Sequence, residues 1–170
     1  YLHPYDETHI IGIGRDATEQ GRVLGMKLSL FDVSDVSNPK EVSKYIIGEA
    51  GTYSEALNDH KAFLFSLSKN LLVIPVSLTE KNYQQSWQGA FAFNVDLDNG
   101  FVLKGRITHS NETDKNYYDY RSQIRRSLFI DNVLYTISSK MIKMNDLGDM
   151  IEINKLDLPY EPERIYPLIE

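Results

Sequence analysis

Three segments of the chain repeat one pattern: an apolar strand, a turn rich in Asp and Asn, then a strand in which apolar and polar residues alternate. They cover residues 27–47, 90–107 and 140–156. Such a repeat constrains the fold more than any single motif, because each copy has to form the same unit and bury the same faces. Aligned with one another, the copies place Asp32, Asn94 and Asn145 in register, at spacings of 62 and 51 residues. Before each copy lies another hairpin, within residues 2–14, 61–77 and 126–138, which makes three units of four strands.

The rest of the chain agrees with an all-β reading. Short stretches rich in Val, Ile, Phe and Tyr are bounded by Gly, Asn, Asp and Pro, and no window combines a helical period with a capped start. Residues 68–70, 98–100, 131–132 and 147–149 join neighbouring stretches with residue types that accept positive φ, as tight antiparallel hairpins require. Pro39 ends the strand before it, because it restricts Asn38 and offers no ladder donor. Residues 79–88 and 109–123 are polar and read as long loops, which explains spacings above the roughly 40–50 residues of a four-stranded repeat.

A small twisted sheet with two apolar faces cannot bury both alone, and radial stacking of such sheets solves this. The expected fold is therefore a β-propeller, present as about three four-stranded antiparallel blades at residues 1–48, 52–109 and 119–158, with a tail over 159–170. A β-sandwich is the alternative that short strands and turns also permit. Three blades are too few to close a ring, so the chain reads as part of a larger propeller. Its open faces are expected to meet the remaining blades or a second copy of the chain.

Composition narrows the chemistry. No apolar run reaches the roughly 18–20 residues of a membrane span. The formal charge of −6 argues against nucleic acid as a partner, since phosphate affinity rests on Lys and Arg. The absence of cysteine excludes disulfides, thiol catalysis and Cys-ligated metals. Residue 1 is Tyr, with no initiator Met, basic region or apolar segment behind it, so any leader is expected upstream.

Three stretches carry a resemblance: Tyr1-Leu-His-Pro-Tyr-Asp-Glu-Thr-His-Ile-Ile-Gly-Ile-Gly-Arg15, Leu28-Ser-Leu-Phe-Asp-Val-Ser-Asp-Val-Ser-Asn-Pro39 and Ser54-Glu-Ala-Leu-Asn-Asp-His-Lys-Ala-Phe-Leu64. They resemble the microbial secreted β-propeller family, described as distantly related to WD-repeat proteins, and the similarity runs to about residue 158. The resemblance implies an extracellular or cell-envelope location, a signal or anchor outside this chain, and further blades before Tyr1, with this chain as a C-terminal piece. It brings no catalytic residues.

Candidate site residues fall into two groups. His3 and His60 stand near the start of the first hairpins of their units, and Arg125 does so in the third. First strands of blades line the central channel, so these side chains would crowd one mouth of it as an anion site, or with Asp59 as a metal site. No His-x-His or His-Glu-x-x-His pattern supports a metal, and hydrogen bonding within the fold explains such histidines equally. No metal or cofactor is assigned. Residues 96–100 resemble a calcium loop, but loop position 12 would be Ile107 rather than Glu, and Asn99-Gly100 is accounted for by a hairpin. The second group is aromatic and basic: Tyr53, Trp87, Tyr117, Tyr118, Tyr120 and Arg121, all read as lying in loops. Tyr, Trp and Arg anchor binding surfaces, and their other common role is to fill gaps between sheets.

The chain is thus expected to be an interaction module binding a protein or a glycan through its loop face. The alternative is a hydrolase of a polysaccharide or phosphoester at the channel mouth, using carboxylates such as Glu55, Asp59, Asp114 and Asp119. Neither a phosphate-binding loop nor a nucleophile elbow is present. Asn111-Glu-Thr113 is a glycosylation sequon.

Overall fold

A computed structural model describes residues 1–80, 84–110 and 119–159, with residues 84–86 described by backbone alone. These residues form three four-stranded antiparallel sheets, each a meander in chain order. The first holds β1 (Leu2–Pro4), β2 (His9–Ala17), β3 (Val23–Asp32) and β4 (Lys40–Ile47). The second holds β5 (Leu64–Ser66), β6 (Leu71–Glu80), β7 (Gln84–Asp96) and β8 (Gly100–Ile107). The third holds β9 (Arg126–Ile130), β10 (Val133–Ile137), β11 (Met141–Asp146) and β12 (Glu152–Asp157). Short 3-10 turns at Glu55–Leu57, His60–Ala62, Leu67–Lys69 and Tyr120–Ser122 are the helical elements among the described residues.

The middle blade shows why the sheets stack. Successive strand residues point to opposite faces. Leu72, Ile74, Val76 and Leu78 of β6, with Phe91, Phe93 and Val95 of β7, pack against Ile11, Ile13, Met26, Leu28 and Leu30 of the first blade. The alternate residues Leu71, Val73, Ala90 and Ala92 pack against Ile124, Leu134 and Leu147 of the third. Burial on both faces turns β6 into a nearly unbroken apolar run. Pro75 is accommodated there because β5 pairs only with Leu71–Val73 and ends before it. The two faces differ in size: aromatic rings fill one seam, alanines the other.

All hairpin turns of β1–β2 and β3–β4 type lie at one end of the blades. Tyr5, between β1 and β2, sits beside Asp96 and Asp98 of the β7–β8 turn. Lys69, between β5 and β6, has its ammonium 5.8 Å from the Phe129 ring near the β9–β10 turn. At this end the repeat shows itself in side-chain chemistry. Asp32, Asp96 and Asp146 are each the last residue of the third strand of their blade. Each carboxylate accepts the N–H two residues on, from Ser34 at 2.9 Å, Asp98 at 3.0 Å and Gly148 at 2.6 Å. Such Asx turns start the chain reversal without a special φ. This corrects the register expected above. Asn94 shares the face of Ala92 toward the third blade, whereas Asn145 pairs with Leu134 and faces the second, so the two are not equivalent.

A second correction concerns residues 79–88. β6 runs to Glu80 and β7 starts at Gln84, with Thr79 opposite Gln85 and Glu80 opposite Gln84 beyond a bulge at Leu78. The ladder continues through buried Thr79 to exposed Glu80, and its polar residues conceal it in the sequence. Trp87 consequently lies in a strand. Its ring meets Phe91 edge-on at 5.4 Å between centroids, with the Arg106 guanidinium 5.5 Å above it.

The terminal blades keep one face open. Leu128, Ile130 and Leu156 are 40%, 57% and 54% exposed on the outer side of the third blade, the side opposite Leu134. Leu2 and Ile46 are exposed on the first.

Candidate functional site

At the opposite end of the blades the β4–β5 and β8–β9 connections come together. The first carries two capped 3-10 turns: Ser54 Oγ accepts the Ala56 N–H and Asp59 Oδ1 accepts the Lys61 N–H at 2.9 Å. The described part of the second carries one, in which Asp119 Oδ1 accepts the Arg121 N–H at 3.0 Å. Each cap satisfies backbone donors that have no partner inside so short a turn. The connections are tied down by polar contacts between blades. Asp59 bridges to the Arg126 guanidinium of the third blade, and Asp119 to the Lys140 ammonium at 3.4 Å.

Between these connections lies a shallow, open surface depression lined by Tyr53, Glu55, Pro75, Ser77, Gln123 and Ile124 among others. Tyr53 is positioned by a two-bond bridge with Ser77, at 3.0 and 2.8 Å, and its hydroxyl accepts the Asn58 amide at 3.0 Å. Tyr120, at 61% exposure, stands in the turn that leads to Gln123. The site therefore offers an aromatic ring, a carboxylate and a carboxamide around one opening, with a second ring nearby.

The other expected residues divide. His60 and Arg125 are exposed at the same end, and the Arg125 N–H donates to Ile137 O at 2.9 Å. Arg121 is half-buried in the Tyr120 turn. His3 lies within β1 and is half-buried, its ring 5.1 Å from Phe63 and 5.4 Å from Phe65, so it packs on the second blade. Burial lowers its pKa, the response of an imidazole placed among rings. Trp87 is half-buried in the aromatic seam. Tyr117, Tyr118, Asn111 and Asp114 lie outside the described residues. Gln123 has no signature in sequence. It enters the site only because the β8–β9 connection folds back over the second blade.

Two carboxylates at this end, Asp59 and Asp119, are held ionised. The Lys61 N–H, opposed by partial burial and reinforced by the Arg126 guanidinium, keeps the Asp59 carboxyl below the usual range. Burial of Asp119 acts upward, but the Arg121 N–H and the Lys140 ammonium outweigh it and its pKa is lowered too. A general acid at neutral pH needs the reverse shift. Among the described residues no group of three His, Asp or Glu side chains is arranged to hold a metal ion. One Ser–His pair exists among the described residues, His109 Nδ1 to Ser138 Oγ at 2.8 Å, but both residues are buried. The far nitrogen meets Thr136 at 2.9 Å rather than a carboxylate.

Fold and repeat together define a propeller segment. The chain belongs to the beta propeller domain family, which matches residues 1–150. It is 31% identical over 164 residues to an uncharacterized protein of Methanocaldococcus jannaschii, covering 94% of this chain and 22% of that protein. It is 30% identical over 158 residues to an uncharacterized protein of Archaeoglobus fulgidus, covering 93% and 20% respectively. The chain thus spans about a fifth of the length of the curated relatives it matches. No helix among the described residues is long and apolar enough to cross a membrane.

Proposed function

We propose that the chain is an extracellular or cell-envelope interaction module, one section of a larger propeller, that binds a protein or a glycan through the face carrying Tyr53 and Tyr120. The depression between the β4–β5 and β8–β9 connections carries this reading. A ring edge beside groups that accept and donate hydrogen bonds suits the faces and hydroxyls of a sugar, or the polar tip of a protein loop. Arg125 and Arg121 add cationic character around it. Binding is proposed rather than hydrolysis because Asp59 and Asp119 are held ionised and engaged by structural bonds to Arg126 and Lys140.

The test is retention of the chain on immobilised cellulose, chitin, mannan and isolated cell-envelope protein. Tyr53→Ala with Tyr120→Ala is expected to weaken retention at least about tenfold while circular dichroism stays unchanged, since anchor residues contribute about 2 kcal/mol or more. Equal retention of the double variant, or none by the parent chain, ends this reading.

The open outer faces of the first and third blades support pairing with further blades or with a second copy. Exposed apolar faces of this kind drive association. Light scattering of the chain at micromolar concentration is expected to give a mass above the monomer. A monomeric mass refutes self-pairing.

A further inference from the structure

His109 follows β8 and is 2% exposed, wedged between the end of the second blade and β10 of the third. Its hydrogen bonds fix its tautomer. Ser138 Oγ accepts the Lys140 N–H at 3.1 Å and the Met141 N–H at 3.2 Å, which occupies both of its lone pairs. Its own proton is therefore directed at His109 Nδ1, 2.8 Å away, with Met141 O at 3.3 Å as the poorer acceptor. The ring must then carry its proton on Nε2 and donate it to Thr136 Oγ1 at 2.9 Å. A second proton on Nδ1 would face an oxygen with no lone pair left to accept it.

The charged neighbours oppose that proton as well. Lys143 on β11 and Lys140 in the β10–β11 turn disfavour a cation, whereas Glu152 on β12 favours one but is bound to Lys143 at 3.0 Å. Asp119 on the β8–β9 connection is taken up by Lys140. Burial, then Lys143, bring the imidazole down to about 4 from 6.5. The seam between the first and second blades differs. There His3, whose pKa burial also lowers, is only half-buried and has the Tyr1 hydroxyl at 3.0 Å as a partner able to donate or accept.

We propose that His109 is an acid-sensitive latch between the second and third blades, whose protonation frees the β8–β9 connection from β10 and lets the third blade separate while the first seam holds. The sign follows from the two affinities. The open state has an ordinary imidazole that takes up a proton below about pH 6.5, while the closed state resists until about 4, so opening grows as pH falls through that window. The consequence is a blade contact that is firm at neutral pH and labile in an acidic surrounding. Opening would expose Leu71, Val73, Ala90 and Ala92, the face the third blade covers.

Residue-resolved amide exchange of the whole chain, corrected for intrinsic rates, tests it. Between pH 8 and pH 5 the protection of the Arg125, Ser138 and Met141 amides is expected to fall about thirtyfold, the ratio set by the two affinities. Protection at Glu49, Tyr53 and Ser77 should hold. His109→Gln keeps a donor and an acceptor without a titratable group, and should abolish the selective loss. Should that variant not fold, ring NMR of the wild-type chain decides. An Nε2–H tautomer titrating near 4 supports the latch, and a midpoint near 6.5 overturns it. Protection that falls together in all three blades, or equally in His109→Gln, also overturns it.

Discussion

Phe93→Ala is expected to remove roughly 3–5 kcal/mol of stability, the range for emptying a buried aromatic site. That is a large share of the roughly 5–15 kcal/mol by which domains are stable. Phe93 is fully buried at the centre of the first seam. Its ring meets Tyr45 of the neighbouring blade edge-on at 5.0 Å, and Phe91 and Phe101 of its own blade at 6.1 and 6.5 Å. The surrounding backbone cannot close into the space easily, because β3, β4 and β7 are held in paired ladders. Urea unfolding followed through the lone tryptophan, Trp87, measures the loss. A double-mutant cycle with Tyr45→Ala should return a coupling of about 0.5–1.5 kcal/mol, since the two rings belong to different blades. A loss under about 1 kcal/mol for Phe93→Ala, with no coupling, would mean that the seam is not packed in this way.

How much of this was readable in the residues follows from the range over which each feature acts. Asp and Asn turns act over two to four residues, so the hairpins stood out wherever Asn99-Gly100 or Asp131-Asn132 interrupted an apolar stretch. Four strands per unit and stacking of the units followed from the repeat. What escaped was the pairing of faces. In β6 both faces are buried, so alternation vanishes from Leu71 to Val76 and nothing local distinguishes the side toward the first blade from that toward the third. The same blindness placed Asn94 and Asn145 in register, when the shared residue is the Asp that ends each third strand. Trp87 reads as a loop residue in the sequence because its polar neighbours conceal the ladder that continues through it. The site fared worse for the same reason. Tyr53 and Gln123 lie seventy positions apart and line one depression only after the second connection has crossed between blades, and the bond from Arg126 to Asp59 spans 67 residues.

Gly48→Ala is the other substitution expected to be severe, and its origin is separable by a control. Gly48 follows β4 with φ +61°, and a Cβ there would overlap Thr52 Oγ1 and come within 2.7 Å of Leu78 Cδ1 and 2.9 Å of Thr79 O. The two threonine atoms are held in place. The Thr52 hydroxyl accepts the Thr79 N–H at 3.0 Å and donates to Thr79 O at 3.3 Å, and the Glu49 N–H holds the same carbonyl at 2.8 Å. Thr52 and Thr79 are buried, so loosening these bonds leaves polar groups without water, at about 1–3 kcal/mol each. Gly21 has φ +80° but nothing within 4 Å of its would-be Cβ. Gly21→Ala should therefore show the left-handed backbone penalty alone, about 1–2 kcal/mol. Gly48→Ala should exceed it by at least about 2 kcal/mol, because overlap and broken hydrogen bonds add to the same strain. Equal losses for the two variants in urea unfolding would show that the close approach of β4 to β6 contributes nothing. A larger loss at Gly48 locates the joint between the first two blades in Glu49 and Thr52, the two residues that bind Thr79.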